Sequence, residues 1–234
     1  MATDLPTTIA EPSTSVGHRL RIAGLLAVAA AVLVFLPERD DGTGAMAAGA
    51  MVFCAAAAGL SAVARVRPLP TRSLAEHGRL AGLALMLGSA LGVANLMANY
   101  AIASLDPTIH AQMSTEFAKF SGWGIVVSGP LIEEIVVRLF LMSVIAWLVS
   151  RHTDDRRAVF LAALIVSSAL FAFAHILPGS RPTTGVLHAT GVAIKTGAAG
   201  LLLGWTFWRW GLPHTVLCHS TANAVHFVAL PIFF

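Results

Sequence analysis

Charge is scarce in this chain. Of its 234 residues only 12% are Asp, Glu, Lys or Arg, while 56% are hydrophobic. A soluble domain carries about 25% charged residues, so the composition belongs in a bilayer and excludes a sizeable soluble domain. Cysteine is scarcer still. Cys54 and Cys218 fall inside apolar runs without CxxC spacing, which excludes a disulfide framework and makes both small buried hydrophobes. There is no His-Glu-x-x-His motif, no internal repeat and no low-complexity tract beyond alanine richness. A net charge of +3 and a pI near 9.4 suggest nucleic acid at first sight. The basic residues, however, sit in short loops beside apolar runs, where they set membrane topology. No nucleic-acid partner is expected.

What the chain does have is long apolar stretches. They fall at residues 20–37, 45–64, 80–104, 123–149, 158–178, 187–208 and 213–233, each long enough to cross a bilayer. The expected fold is therefore all-α, a polytopic transmembrane bundle of about seven spans. Residues 1–19 are polar and rich in Thr, Ser and Pro, as a disordered tail would be. No small-residue cleavage site precedes Pro37, so the first span is read as uncleaved. Arg19 and Arg21, then Arg65, Arg67, Arg72 and Arg79, then Arg151, Arg156, Arg157 and Arg209 occupy alternate loops. The opposite loops hold Glu38, Asp40, Asp41, Asp106 and Glu116. That asymmetry predicts a cytoplasmic N-terminus, and the alanine-rich compactness fits a bacterial plasma membrane. Trp205, Trp208 and Trp210 cluster at one span end as an interfacial belt. Gly88/Gly92 and Gly200/Gly204 have the GxxxG spacing that allows close helix approach.

Against this apolar background, Pro130-Leu-Ile-Glu-Glu-Ile-Val-Val-Arg-Leu-Phe140 is the anomaly. An ionisable side chain at a bilayer centre costs about 2.5–3.5 kcal/mol on insertion scales, so Glu133, Glu134 and Arg138 need partners or a task. On an α-helix Glu134 and Arg138 share a face and can pair. Glu133 points about 100° away and is available. Pro130 is expected to start the helix that carries them, after a broken lead-in over 121–129. Two later spans add polar groups: His175, after Phe171, and a stripe of His219, Asn223 and His226 on one face. Taken singly, each has a structural explanation as an ion pair, an interfacial histidine or an inter-helix hydrogen bond. Concentrating them gains an apolar bundle little stability.

These residue types support hydrolysis. A desolvated carboxylate accepts a proton from water, and a facing imidazole holds the same water. A second His and an Asn donate hydrogen bonds to the oxyanion formed at an attacked carbonyl. The alternative is a divalent metal such as zinc, held by Glu133, His175, His219 and Asn223. Lys195 is read as snorkelling outward from a helix start, with pairing to the glutamates as the other option. His110, His188 and His214 are read as loop or interface residues, and His226 as supporting the site from behind at most.

The order Glu-Glu-x-x-x-Arg (Glu133, Glu134, Arg138), Phe-x-x-x-His (Phe171, His175) and His-x-x-x-Asn (His219, Asn223) resembles the CPBP intramembrane proteases. These are also called the CAAX protease or Abi family, and they are related to the Ras-converting CAAX prenyl endopeptidase. The resemblance covers residues 123–228. It implies a catalytic core over 123–234, with 20–122 as accessory helices, acting on a membrane protein or peptide substrate. It further implies that Glu133 and His175 activate water and that His219 and Asn223 form the oxyanion hole or bind the metal. Glu134 and Arg138 would support the site. Some members of that family are linked to immunity or scaffolding instead, which is the alternative reading. One expectation sits awkwardly: on straight helices His175 and His219 differ in depth by about 10–15 Å.

Overall fold

A backbone in hydrocarbon must satisfy its own polar groups, and a helix does so within one segment. The computed structural model describes residues 42–66, 72–111, 124–177 and 185–233, and all its regular structure there is helical. Helix α1 runs Gly42–Val66 and α2 Leu74–Leu105. Residues 124–149 form a composite helix, α3, followed by α4 (Arg156–Ala174), α5 (Gly185–Trp210) and α6 (Leu212–Phe233).

Polar residues set the ends. Ser73 and Glu76 close a capping box at the start of α2: Ser73 Oγ accepts from the Glu76 N–H, and Glu76 Oε2 accepts from the Ser73 N–H at 2.8 Å. Asp106 ends α2 in extended backbone. Its Oδ1 accepts from both the N–H and hydroxyl of Thr108, which holds the carboxyl below the usual aspartate range. Asp155 caps α4 by accepting from the Arg157 N–H at 2.8 Å. Between α5 and α6 the chain reverses at Gly211, whose φ of 89° lies where a side chain would be strained.

Three of these helices are long and apolar enough to cross a membrane: Leu74–Leu105, Arg156–Ala174 and Gly185–Trp210. That is fewer than the seven expected. The stretch at 20–37 lies outside the described residues, and so does the tail at 1–19. The apolar part of α1 is a shorter piece, Ala50–Val66, and α3 is interrupted. The broken lead-in expected before Pro130 is instead a continuous widened helix from Gly124.

The small residues are where helices meet. A methyl on Gly92 would lie 2.6 Å from the Ala222 carbonyl oxygen, and one on Gly88 would strike that of Cys218, so α2 and α6 lie backbone to backbone. Gly200 and Gly204 pack likewise against Ser168 and Leu164 of α4. Gly59 lets α1 rest on the backbone of α3 at Leu139. Around this seam Val52, Ala56 and Leu60 bury against Ile135, Leu139 and Met142. Apolar residues such as Met86, Phe173 and Ile194 face outward, as a lipid-exposed surface allows. Cys218 is buried as expected. Cys54 is exposed, because its α1 face has no neighbour among the described residues.

Candidate active site

The composite helix α3 presents the carboxylates. A π stretch, Gly124–Ser128, leads into α-helical Gly129–Glu133; a second π stretch, Glu134–Met142, is followed by α-helical Ser143–Val149. Proline has no N–H for the carbonyl four residues back, and the wider π turn stands on the N-terminal side of Pro130. Glu133 thus closes an α-helical segment and Glu134 opens a π segment. Ser143, buried at the end of the π segment, donates its hydroxyl to the Arg138 carbonyl at 3.3 Å.

The two glutamates part company. The Glu134 side chain is 1% exposed and that of Glu133 is 37% exposed. Glu134 Oε2 lies 3.3 Å from Arg138 Nε, close enough to pair but not aligned as a hydrogen bond. The wholly buried guanidinium lies over the Phe171 ring at 5.1 Å. The other Glu134 oxygen, Oε1, is 2.8 Å from His219 Nδ1. A carboxylate paired with arginine only accepts, so Nδ1–H is the donor and the ring is fixed in orientation. His219 Nε2 then faces Glu133 Oε2 across 3.7 Å. That gap is too long for a direct hydrogen bond and is the kind a water bridges.

Phe171 links the second motif to this cluster. Its ring meets His175 edge to face at 4.5 Å and His219 at 6.4 Å. His175 caps the end of α4 and turns Nδ1 back to the Phe171 carbonyl at 2.9 Å. Side chains on a helix lean toward its N-terminus, so His175 reaches down one turn and Phe171 fills the rest of the interval. His175 and His219 line one cavity despite the depth mismatch expected from straight-helix arithmetic.

Glu133, His175, His219 and Asn223 all line one cavity of about 70 Å³, room for a few waters or a peptide group. Glu134 and Arg138 lie behind it. Three elements therefore bring together the residues read from the sequence as catalytic. The cavity has further walls that the sequence reading missed: Asn95 on α2, and Lys195 and Thr196 on α5. His226 also lines the cavity, which corrects its placement behind the site. Lys195 does not snorkel outward. Its Nζ donates to Asn99 Oδ1 at 2.7 Å, and Asn99 Nδ2 lies 3.2 Å from His226 Nε2. A signal existed, since Asn95 and Asn99 repeat on an apolar span the i, i+4 spacing of His219 and Asn223. His188 and His214 are not loop residues, for both are buried in the first turns of α5 and α6.

The donor set does not fit a metal well. Among the described residues no three His, Cys, Asp or Glu side chains converge on a common point. No step below passes through zinc.

Residues 116–225 match the family model described as type II CAAX prenyl endopeptidase Rce1-like. Over these residues the chain is similar to the CPBP, or CAAX protease, family. The match takes in all three CAAX-protease motifs, from Glu133 to Asn223, while Asn95, Asn99 and His226 fall outside it. No curated protein and no solved structure matches the chain.

Proposed function

We propose that the chain is an intramembrane endopeptidase that hydrolyses a peptide bond of a membrane-associated protein or peptide. What carries the reading is the convergence of Glu133, His175, His219 and Asn223 on one small cavity inside an apolar bundle. The match of residues 116–225 to a protease family's model supports it.

In this reading water enters beside Glu133, the more accessible of the two carboxylates. Glu133 takes one of its protons as the oxygen attacks the scissile carbonyl carbon, with His175 orienting the water. The carbonyl electron pair moves to oxygen, where Asn223 donates a hydrogen bond. His219 Nε2 donates as well when it carries a proton, since Nδ1–H is committed to Glu134. Collapse of the intermediate breaks the C–N bond, and Glu133 returns its proton to the leaving amine. Glu134 and Arg138 hold the imidazole in register. Residues 123–234 form the catalytic core in this scheme, within about seven spans and with the N-terminus in the cytoplasm of a bacterial cell.

Comparing peptide termini in membranes of cells expressing the natural chain or Glu133→Gln at equal level tests the reading. Termini present only with Glu133 support proteolysis and name the substrate. Identical termini, with a null phenotype rescued by both chains, would leave a non-catalytic immunity or scaffold protein.

A further inference from the structure

Trp147 is the last aromatic residue of α3, just before the helix ends at Val149. Its half-buried ring receives a guanidinium from each of two elements. Arg65, in the last turn of α1, has its Cζ 5.6 Å from the ring centroid, and Arg151, just past α3, has its Cζ at 4.8 Å. The negative face of an indole attracts a cation, but stacking uses none of the N–H donors that a guanidinium carries. Among the described residues no carboxylate pairs with either guanidinium. Asp155, four residues beyond Arg151, is spent on capping α4, where it accepts the Arg157 N–H. Arg72, by contrast, commits its donors to the Trp210 and Arg209 carbonyls. Two unneutralised guanidiniums on different helices are thus gathered by one ring.

The surroundings point to what those donors meet. Val66, Val149 and Phe160 pack against one buried cluster, so the end of α1, the end of α3 and the start of α4 come together here. Leu148, beside Trp147, is 47% exposed, and both arginines are exposed as well. An apolar face that rises to an indole and two guanidiniums has the profile of the bilayer headgroup level, where tryptophan is enriched and lipid phosphates lie. A phosphate oxyanion suits this set. It offers acceptors matched to the guanidinium fork, and the indole N–H is a further donor. A zwitterionic headgroup brings a cation of its own to the same place, which two arginines repel. We propose that Arg65, Arg151 and Trp147 form a binding site for the phosphate of an anionic phospholipid headgroup. One lipid held there joins α1 to α3, the helix that carries Glu133 and Glu134. The site stands apart from the cavity and does not rest on the endopeptidase reading.

The full chain in an uncharged detergent serves for the test, with bound lipid counted by native mass spectrometry. The probes, at equal phosphate concentration, are dioleoyl phosphatidylglycerol, dioleoyl phosphatidylcholine and water-soluble glycerol phosphate. Firmer retention of phosphatidylglycerol than of the other two is expected. Arg65→Gln and Arg151→Gln should each weaken it about tenfold, as loss of a charge-assisted hydrogen bond does, and Trp147→Leu should weaken it too. Arg79→Gln on α2 and Arg209→Gln on α5 remove the same charge away from this ring and should change retention less than about twofold. Equal losses at all four arginines would reduce the effect to diffuse charge and overturn the site. Phosphatidylcholine held as firmly as phosphatidylglycerol overturns it too, and glycerol phosphate held as firmly as the lipid overturns the lipid assignment. A second measurement needs no variant. Phosphatidylglycerol should raise the unfolding temperature of the natural chain more than phosphatidylcholine does, and equal shifts would count against the proposal even if a substituted chain failed to fold.

Discussion

Glu134 spends its two oxygens on different partners, Arg138 on one side and His219 on the other, and that division sets what each substitution should do. Glu134→Gln keeps the volume and an acceptor for Nδ1–H but removes the charge opposite Arg138. If His219 serves the oxyanion, turnover should fall about 10²–10³-fold with little change in peptide binding; equal losses in both would show a purely structural role. Arg138→Met strands a buried carboxylate, and removing one member of a buried pair costs about 3–5 kcal/mol. Thermal unfolding in detergent should show that loss, and adding Glu134→Leu should recover part of it, because the double variant buries no charge. The sequence separated the two glutamates correctly, because helical periodicity aligns Glu134 with Arg138 and turns Glu133 aside. It could not show that His219 joins Glu134, for that contact spans 85 positions of sequence.

At the level of elements, the site depends on how closely α2 and α6 approach. The residues that permit this are Gly88 and Gly92, beside the turn of α6 that carries His219 and Asn223. Gly92→Ala should lower the unfolding temperature and reduce activity together, since its methyl would meet backbone rather than a movable side chain. Gly78→Ala on the same helix has open space around it. It should be neutral or stabilise by up to about 1 kcal/mol, the helix propensity gain alone. If both substitutions behaved alike, the seam would not be tight. The GxxxG pairs were legible as spacings, but which helix each would meet was not. The polar stripe of α6 was legible because three residues repeat at helical spacing. Lys195 was misread because a lysine in an apolar run looks the same whether it reaches water or a buried asparagine. The π segments of α3 had no sequence signature beyond Pro130.

Among the described residues the arginines other than Arg138 gather at one end, and that end is knitted together. Arg72 donates from Nη1 to the Trp210 carbonyl and from Nη2 to that of Arg209, both at 2.6 Å, tying the start of α2 to the close of α5. Arg65 from α1 and Arg151 after α3 both lie over the Trp147 ring, at 5.6 and 4.8 Å. His77 stacks on His214 with rings 5.2 Å apart, joining the starts of α2 and α6. An aromatic and cationic rim of this kind fits the interface with the cytoplasmic leaflet. The opposite rim includes Asp106, at the far end of α2. A single cysteine introduced at each end tests that orientation. In a Cys54→Ala background, His110→Cys should react with a membrane-impermeant maleimide on intact cells, whereas His152→Cys should react only after the membrane is opened. Both native positions are exposed, so access from water rather than burial decides the outcome. The reverse pattern would turn the molecule over and place the arginine rim outside. That result would contradict the charge rule on which the cytoplasmic N-terminus rests.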